Sequence, residues 1–357
     1  MTFEWLFTVA ATCLALSFSA GCASIGPSVI ERDRLGYNIA VSVSWKEQTL
    51  LNIVRLRYAD APVFLDVTQV ISSYSVEGEI NFGATFNPAA SDTQTLGFEG
   101  RYIDKPTITY TPIIGERFNR LLLTPVPPHA IFSMIQAGWP VNKVFRLLVR
   151  EINGITNQTG SELRGREADP EFFLLVQALR RIQLSAAIGI RINKTSEGDM
   201  TVVIFFGGEN IPEIRSDIDF VIKTLRLDPQ TREFRLVFGL PQTDREIGIL
   251  SRSMLEVMNE LASSIDVPKV HLDEQRTLAS RYDPNSDDPS RVPLIRVYSG
   301  YNVPSDSHVA VRSHGYWFWI DDRDFGSKRV FAFLMILFSL AETGAPQAAP
   351  VVTIPVN

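Results

Sequence analysis

The chain has 357 residues, 45% hydrophobic and 21% charged, a balance that excludes intrinsic disorder and leaves room for one large domain or two. Its formal net charge is −6 and its longest basic run is the pair Arg180–Arg181, so no nucleic-acid partner is expected, because phosphate binding needs clustered Lys and Arg. Cysteine is confined to Cys13 and Cys22, which excludes a disulfide within residues 23–357 and a zinc site built on thiolates.

Residues 5–18 form an apolar run, short for a bilayer span, followed by the small residues Ser19-Ala20-Gly21 and then Cys22. Small residues there let an extended chain enter a narrow peptidase cleft. Ser19-Ala20-Gly21-Cys22 resembles the bacterial lipobox. The resemblance implies a signal peptide over 1–21, cleavage before Cys22 and acylation of its thiol, with membrane lipid as the partner held through Cys22. Removing 1–21 takes away one acid, Glu4, and no base, which brings the charge from −6 to −5. Ala23 resembles the residue that permits sorting to the outer membrane, facing the periplasm. An ordinary leader with a chance cysteine, or an uncleaved anchor, are alternatives open to the same residues. Residues 22–44 read as lipidated cysteine and tether.

Residues 38–58 carry Leu50, Leu51, Val54 and Tyr58 on one helical face, with Gln48 and Asn52 off it. Ala61-Pro62 ends that helix. Within it, Glu47–Tyr58 resembles uncharacterised bacterial lipoproteins, a resemblance that implies no activity. Val63–Phe86 reads as one or two strands, Asn87–Thr95 as a loop and Phe98–Thr111 as a strand. Gly115–Leu123 and Pro128–Ala137 read as short helices, Val141–Ile152 as helix or strand, and Asn157–Asp169 as a polar surface loop.

Pro170–Ala186 predicts a helix with Asp169 as N-cap. Ile188–Asn193 and Met200–Phe206 predict a hairpin, Pro212–Leu227 a helix and Phe234–Leu240 a strand. A similar order is expected further on, with helices at Arg245–Ile265 and Ser327–Glu342 and strands at Leu294–Tyr298, Val309–Ile320 and Val351–Val356. The fold class expected is α+β, with mixed helices and antiparallel or mixed sheets. Its units would be an α+β unit at 45–157 and α-β-β-α-β units at 169–240 and 245–357. The apolar run Val330–Phe338 is about half a bilayer span and reads as a core helix.

The chemistry is sparse. His129, His271, His308 and His314 show no zinc spacing and read as surface or capping residues. No GxSxG elbow or Walker loop is present, and Gly207-Gly208 reads as a turn. The densest polar cluster, Asp321-Asp322-Arg323-Asp324, offers a candidate cation or cationic-partner site at Asp321, Asp322 and Asp324, or simply acids at a helix start. Tyr316, Trp317 and Trp319 form a candidate aromatic binding strand for glycan or peptide, or pack in the core. No catalytic residue, metal or cofactor is expected. The residues point to an anchored envelope lipoprotein with a binding or assembly role and an envelope protein or glycan as partner. An envelope glycan or ester hydrolase using the carboxylates, and a ligand carrier with its pocket between units, are the alternatives.

Overall fold

Pro27 stands in a first helical turn, where its missing N–H had no partner, and no proline follows before Pro62. Helix α1 accordingly runs Gly26–Arg57 in the computed structural model. Residues 26–44 are therefore helix and not the tether expected there. The structure describes residues 26–71, 74–85, 93–104, 107–159, 166–194, 200–207, 211–280, 282–283, 285–288 and 290–341. Cys22, the signal peptide expected over 1–21 and the strand expected at Val351–Val356 lie outside them. The chain divides into two compact units, Met1–Glu47 and Gln48–Asn357. The first is described through α1 as far as Glu47, and all that follows concerns the second.

Gln48 and Asn52, one helical turn apart, meet the backbone of the segment that follows. The Asn52 amide donates to the Val63 carbonyl at 2.8 Å and accepts from its N–H at 2.9 Å. The Gln48 amide does the same for Leu65, at 3.0 and 2.7 Å. Two side chains on a helix thus reproduce the pairing of a neighbouring strand. Asn52, expected off the apolar face, is fully buried because those backbone groups satisfy it.

Strands β1 (Leu65–Ile71) and β2 (Tyr74–Thr85) lead away, and β3 (Thr93–Asp104) and β4 (Thr107–Pro112) return. β1 pairs with β4 and β2 with β3, both antiparallel. The single strand expected over Phe98–Thr111 is thus two, and Thr93–Thr95, expected in a loop, are already strand. Helix α2 (Gly115–Phe118) widens into a π-helical turn, Asn119–Leu123, which buries Leu121 and Leu122.

Helix α3 (Pro128–Gln136) precedes α4 (Val141–Leu148), which passes directly into β5 (Val149–Ile152) and then β6 (Ile155–Thr156). Val141–Ile152 is therefore helix and then strand. After α5 (Pro170–Leu184) come β7 (Ile188–Lys194), β8 (Met200–Phe206), α6 (Pro212–Thr224), β9 (Glu233–Phe238) and β10 (Glu246–Ser251). Asp169 takes the N-cap backbone position of α5, but its carboxylate turns away to accept from the Thr156 N–H and hydroxyl at 2.7 and 2.8 Å. Those bonds hold its pKa below the ordinary aspartate value.

One mixed sheet, in the order β6-β5-β10-β9-β8-β7, gathers these strands; only β9 and β10 run parallel. It crosses the boundaries at 157/169 and 240/245 between the expected units. The connection from β9 to β10 is far shorter than the dozen or more residues a parallel crossover ordinarily needs. It doubles back over Gly248, where a Cβ would stand 2.5 Å from the Gly239 carbonyl and 2.5 Å from the Pro241 ring.

The helix expected over Arg245–Ile265 is instead β10 followed by α7 (Met254–Ala262). Ile247, Gly248 and Ile249 are buried in succession, a pattern a central strand shares with a core helix. Helix α8 (Lys269–Asp273) follows. Strands β11 (Tyr298–Gly300), β12 (Ser307–Ser313) and β13 (Tyr316–Asp321) then form a sheet in the order β11-β13-β12, and helix α9 (Phe325–Ala341) comes after. β12 and β13 are joined by His314-Gly315, both at positive φ (51° and 85°), as a tight hairpin turn requires. The α-β-β-α-β order is therefore not repeated among the described residues of 245–357. The fold is α+β, with antiparallel and mixed sheets. Among the described residues no helix is long and apolar enough to cross a membrane. In α9, Phe331, Phe333, Leu334, Leu337 and Phe338 are buried in the core.

Candidate functional site

A cavity of about 310 Å³ opens where the start of α4, the middle of α5 and the first turns of α9 meet. Pro140 begins α4, and the Gln183 amide on α5 holds its approach by donating to the Ile135 and Trp139 carbonyls and accepting from the Val141 N–H. The floor is apolar: Trp139, Val144, Leu147, Val330 and Phe333 line it, with Trp139 and Phe333 ring centroids 4.5 Å apart. The rest of the lining includes three cations, Lys143, Arg180 and Arg329, and no carboxylate among the described residues. The Arg329 guanidinium lies 5.4 Å from the Trp139 ring centroid, a cation–π distance. Arg180 donates to Gln183 at 2.6 Å.

Burial first, and the Arg146 charge second, push the Lys143 ammonium below the usual lysine range, with Asp324 opposing. Asn142, also in the lining, has a buried amide oxygen with no hydrogen-bond partner among the described residues. The arrangement suits an anion joined to an apolar body: hydrocarbon or ring on the floor, negative charge toward the three cations. In the sequence Arg180 stands out only as half of a basic pair, and Val330 and Phe333 only as part of an apolar run; nothing there marks a site. Trp139 and Lys143 lie beside a helix start, Arg180 in mid-helix and Arg329 in a helix read as core, and no local spacing links them.

The acidic cluster is turned inward on the chain itself. Asp324 caps α9, accepting from the Ser327 N–H at 3.0 Å and the Ser327 hydroxyl at 2.6 Å. Asp322 accepts from Lys328 at 2.8 Å and lies 3.6 Å from His308; the lysine first of all keeps its pKa low. Asp321 accepts from the Arg323 N–H at 2.8 Å, and the Arg323 guanidinium meets Asp306. Each carboxylate thus serves the turn into α9. Among the described residues no group of three His, Cys, Asp or Glu could hold a metal ion.

On β13, Phe318 and Ile320 face the core while Trp317 and Trp319 sit half-exposed on the other face. Trp319 stacks on Tyr298 at 6.0 Å. Tyr316 instead joins an aromatic group, 5.0 Å from the His271 ring and 4.5 Å from Tyr301. His271, expected at the surface, is buried: its Nδ1 lies 2.7 Å from the Tyr58 hydroxyl, which lets imidazole and phenol satisfy each other. Burial first, then Arg276 and His314, lower the His271 pKa, while burial pushes Tyr58 up to about 12. His314 stacks on Tyr58 at 4.1 Å.

A second polar centre is wholly enclosed. Arg252 donates to the Arg146 and Leu147 carbonyls at 3.0 and 3.2 Å and to the Gln158 carbonyl, closing the C-terminal end of α4. Its charge faces Glu260 at 3.6 Å, and Tyr282 and Gln158 donate to the same carboxylate. Asn157, expected in a surface loop, is buried there, its amide donating to the Phe145, Arg146 and Val149 carbonyls. Arg252 and Glu260 are both about 97–98% enclosed and pin three segments together.

Comparison with family models, with curated proteins and with solved structures finds no match for this chain.

Proposed function

We propose that this chain is an envelope lipoprotein, held on a membrane through acylated Cys22, whose body binds its ligand and does not transform it. The cavity between α4, α5 and α9 is the binding place, and its ligand is an anion carried on an alkyl or aromatic body. One observation carries the reading: among the described residues, three cations and no carboxylate line a cavity whose floor is apolar. An enclosed anion there gains charge-assisted hydrogen bonds, while its tail leaves water for Trp139 and Phe333. The hydrolase alternative has less support, since Asp321, Asp322 and Asp324 are each engaged by groups of the chain itself.

Calorimetric titration with dodecanoate and with dodecanol tests the cavity. Dodecanoate binds and dodecanol binds much more weakly, and Arg329→Ala or Lys143→Ala each lowers dodecanoate affinity roughly tenfold or more, the worth of one charged hydrogen bond. Equal binding of the alcohol and the acid rejects recognition by the cations. Mass spectrometry of the N-terminal peptide of the native protein tests the anchor: an unmodified Cys22 sulfur rejects it.

A further inference from the structure

The ribbon made by β2 and β3 has one face that is apolar over its middle, from Val76 to Phe82 on β2. In β2–β3, Val76 stands opposite Tyr102, Ile80 opposite Phe98 and Phe82 opposite Leu96, all on one face because strand residues alternate. The other face pairs Glu77 with Arg101, Glu79 with Glu99 and Asn81 with Gly97. Two glutamates directly opposed repel each other, which disfavours a dry setting for that face.

Strands β1 and β4 have an apolar face of their own. A bulge lies between Val67 and Gln69. Without the extra residue Val67 and Val70 would fall on opposite faces; with it, Leu65, Val67 and Val70 align with Pro112, Tyr110 and Ile108. Leu65, Ile108 and Tyr110 are exposed. Among the described residues β2 and β3 pair only with each other.

We propose that this ribbon enters a lipid bilayer, with the Val76–Ile80–Phe82 face against hydrocarbon and the Glu77–Glu79–Asn81 face toward water. The dimensions fit. β2 and β3 each have 12 residues. At about 3.4 Å per residue and a tilt of about 45°, twelve residues cover ~29 Å of height, against about 30 Å of hydrocarbon. The alternation and the tyrosines at the root, Tyr74 and Tyr102, follow the pattern of a membrane β-strand with an aromatic girdle. An open strand edge cannot stand in lipid, so the ribbon's edges close on ribbons of further copies of this chain. The Gln48 and Asn52 amides and the Arg117–Asp66 ion pair at 2.7 Å hold β1 and its approach, the segment that precedes the ribbon in the chain. The inference rests on the export proposed above but not on the cavity or the acyl chain.

The test uses the full chain with Cys13→Ser and Cys22→Ser, so that one introduced cysteine carries the label and lipidation plays no part. Single cysteines along 76–82 and 96–102 receive an environment-sensitive fluorophore, and the protein is mixed with vesicles of phosphatidylethanolamine and phosphatidylglycerol. Labels at 76, 80, 82, 96, 98 and 102 brighten, shift to the blue and are quenched by doxyl-labelled lipid. Labels at 77, 79, 81, 97, 99 and 101 stay accessible to iodide. Loss of the two-residue period, or an apolar face shielded from iodide yet untouched by doxyl-lipid, overturns the proposal; the latter would assign that face to a protein partner. Ile80→Lys with Phe98→Lys lowers vesicle binding about tenfold or more with an unchanged melting temperature. Unchanged binding also overturns it. The native Cys22 peptide reports on the anchor separately, so either idea can fail without the other.

Discussion

Arg252 shows how much one side chain can decide. It supplies donors to three carbonyls from two segments and neutralises Glu260 in a site that water does not reach. Arg252→Ala leaves that carboxylate buried without its charge partner and the end of α4 without its donors. The expected loss is about 3–5 kcal/mol of stability, read from the urea midpoint; a loss below ~1 kcal/mol would show that the pair contributes little. His271 adds a pH dependence. Its folded pKa is depressed, so the unfolded chain takes up the proton first as pH falls. The stability it contributes is complete above about 6.5 and is lost as pH falls through the folded value. The melting temperature should drop between neutral and mildly acid pH, and His271→Gln should flatten that slope. Neither role was legible in the sequence, where a lone His or Arg reads as surface. Burial depends on which distant segment arrives opposite, as Tyr58 does opposite His271.

Elements were legible where a period ran long enough. The 169–240 segment has its helix, hairpin, helix and strand close to where the 3.6- and 2-residue patterns put them. The error at Arg245–Ile265 has an instructive cause. A run of buried residues has no period of its own, and the helix start was written instead in Ser253 and Glu256. Each bonds to the other's backbone, at 3.3 and 2.8 Å, as a capping box. That S-x-x-E signal could have placed the boundary. The short parallel connection next to it depends on Gly248, whose missing Cβ admits the returning backbone. Gly248→Ala should cost ~2 kcal/mol or more, because the obstructing atoms are a carbonyl and a proline ring and not a flexible side chain. A variant as stable as the wild type would mean that the 239–245 loop shifts freely.

The second unit joins a cored body to a ribbon that pairs with itself. The body's sheet draws on strands from 149 to 251. Helices α4, α5 and α9 then meet around the cavity. The ribbon beyond its root contributes no strand to the body's sheets among the described residues. Replacing 74–104 by a short Gly/Ser turn should therefore leave the body's melting temperature within a few degrees of the wild type and preserve dodecanoate binding. It should abolish vesicle insertion. A body that melts far earlier would make the ribbon part of the core's support. At this scale the acidic cluster and the β13 aromatics change meaning. Asp324 starts the helix whose next turns line the cavity, while Trp317 and Trp319 form a half-exposed sheet face apart from it.

What the sequence determined by itself was local: the α+β class, most of the element types, the apolar run with a cysteine after it, and the alternation that divides the ribbon into two faces. These follow from nearest-neighbour sterics and from the period of apolar residues along the chain. Only the tertiary structure decided which charges were buried together, that one sheet crosses the expected unit boundaries, and that Lys143, Arg180 and Arg329 share a cavity. Arg252 and Glu260 are eight positions apart and the cavity cations many more, but in neither case does a helical or strand period bring them together. The cost or benefit of such pairings is set by desolvation and packing after the chain closes on itself, which no local period encodes.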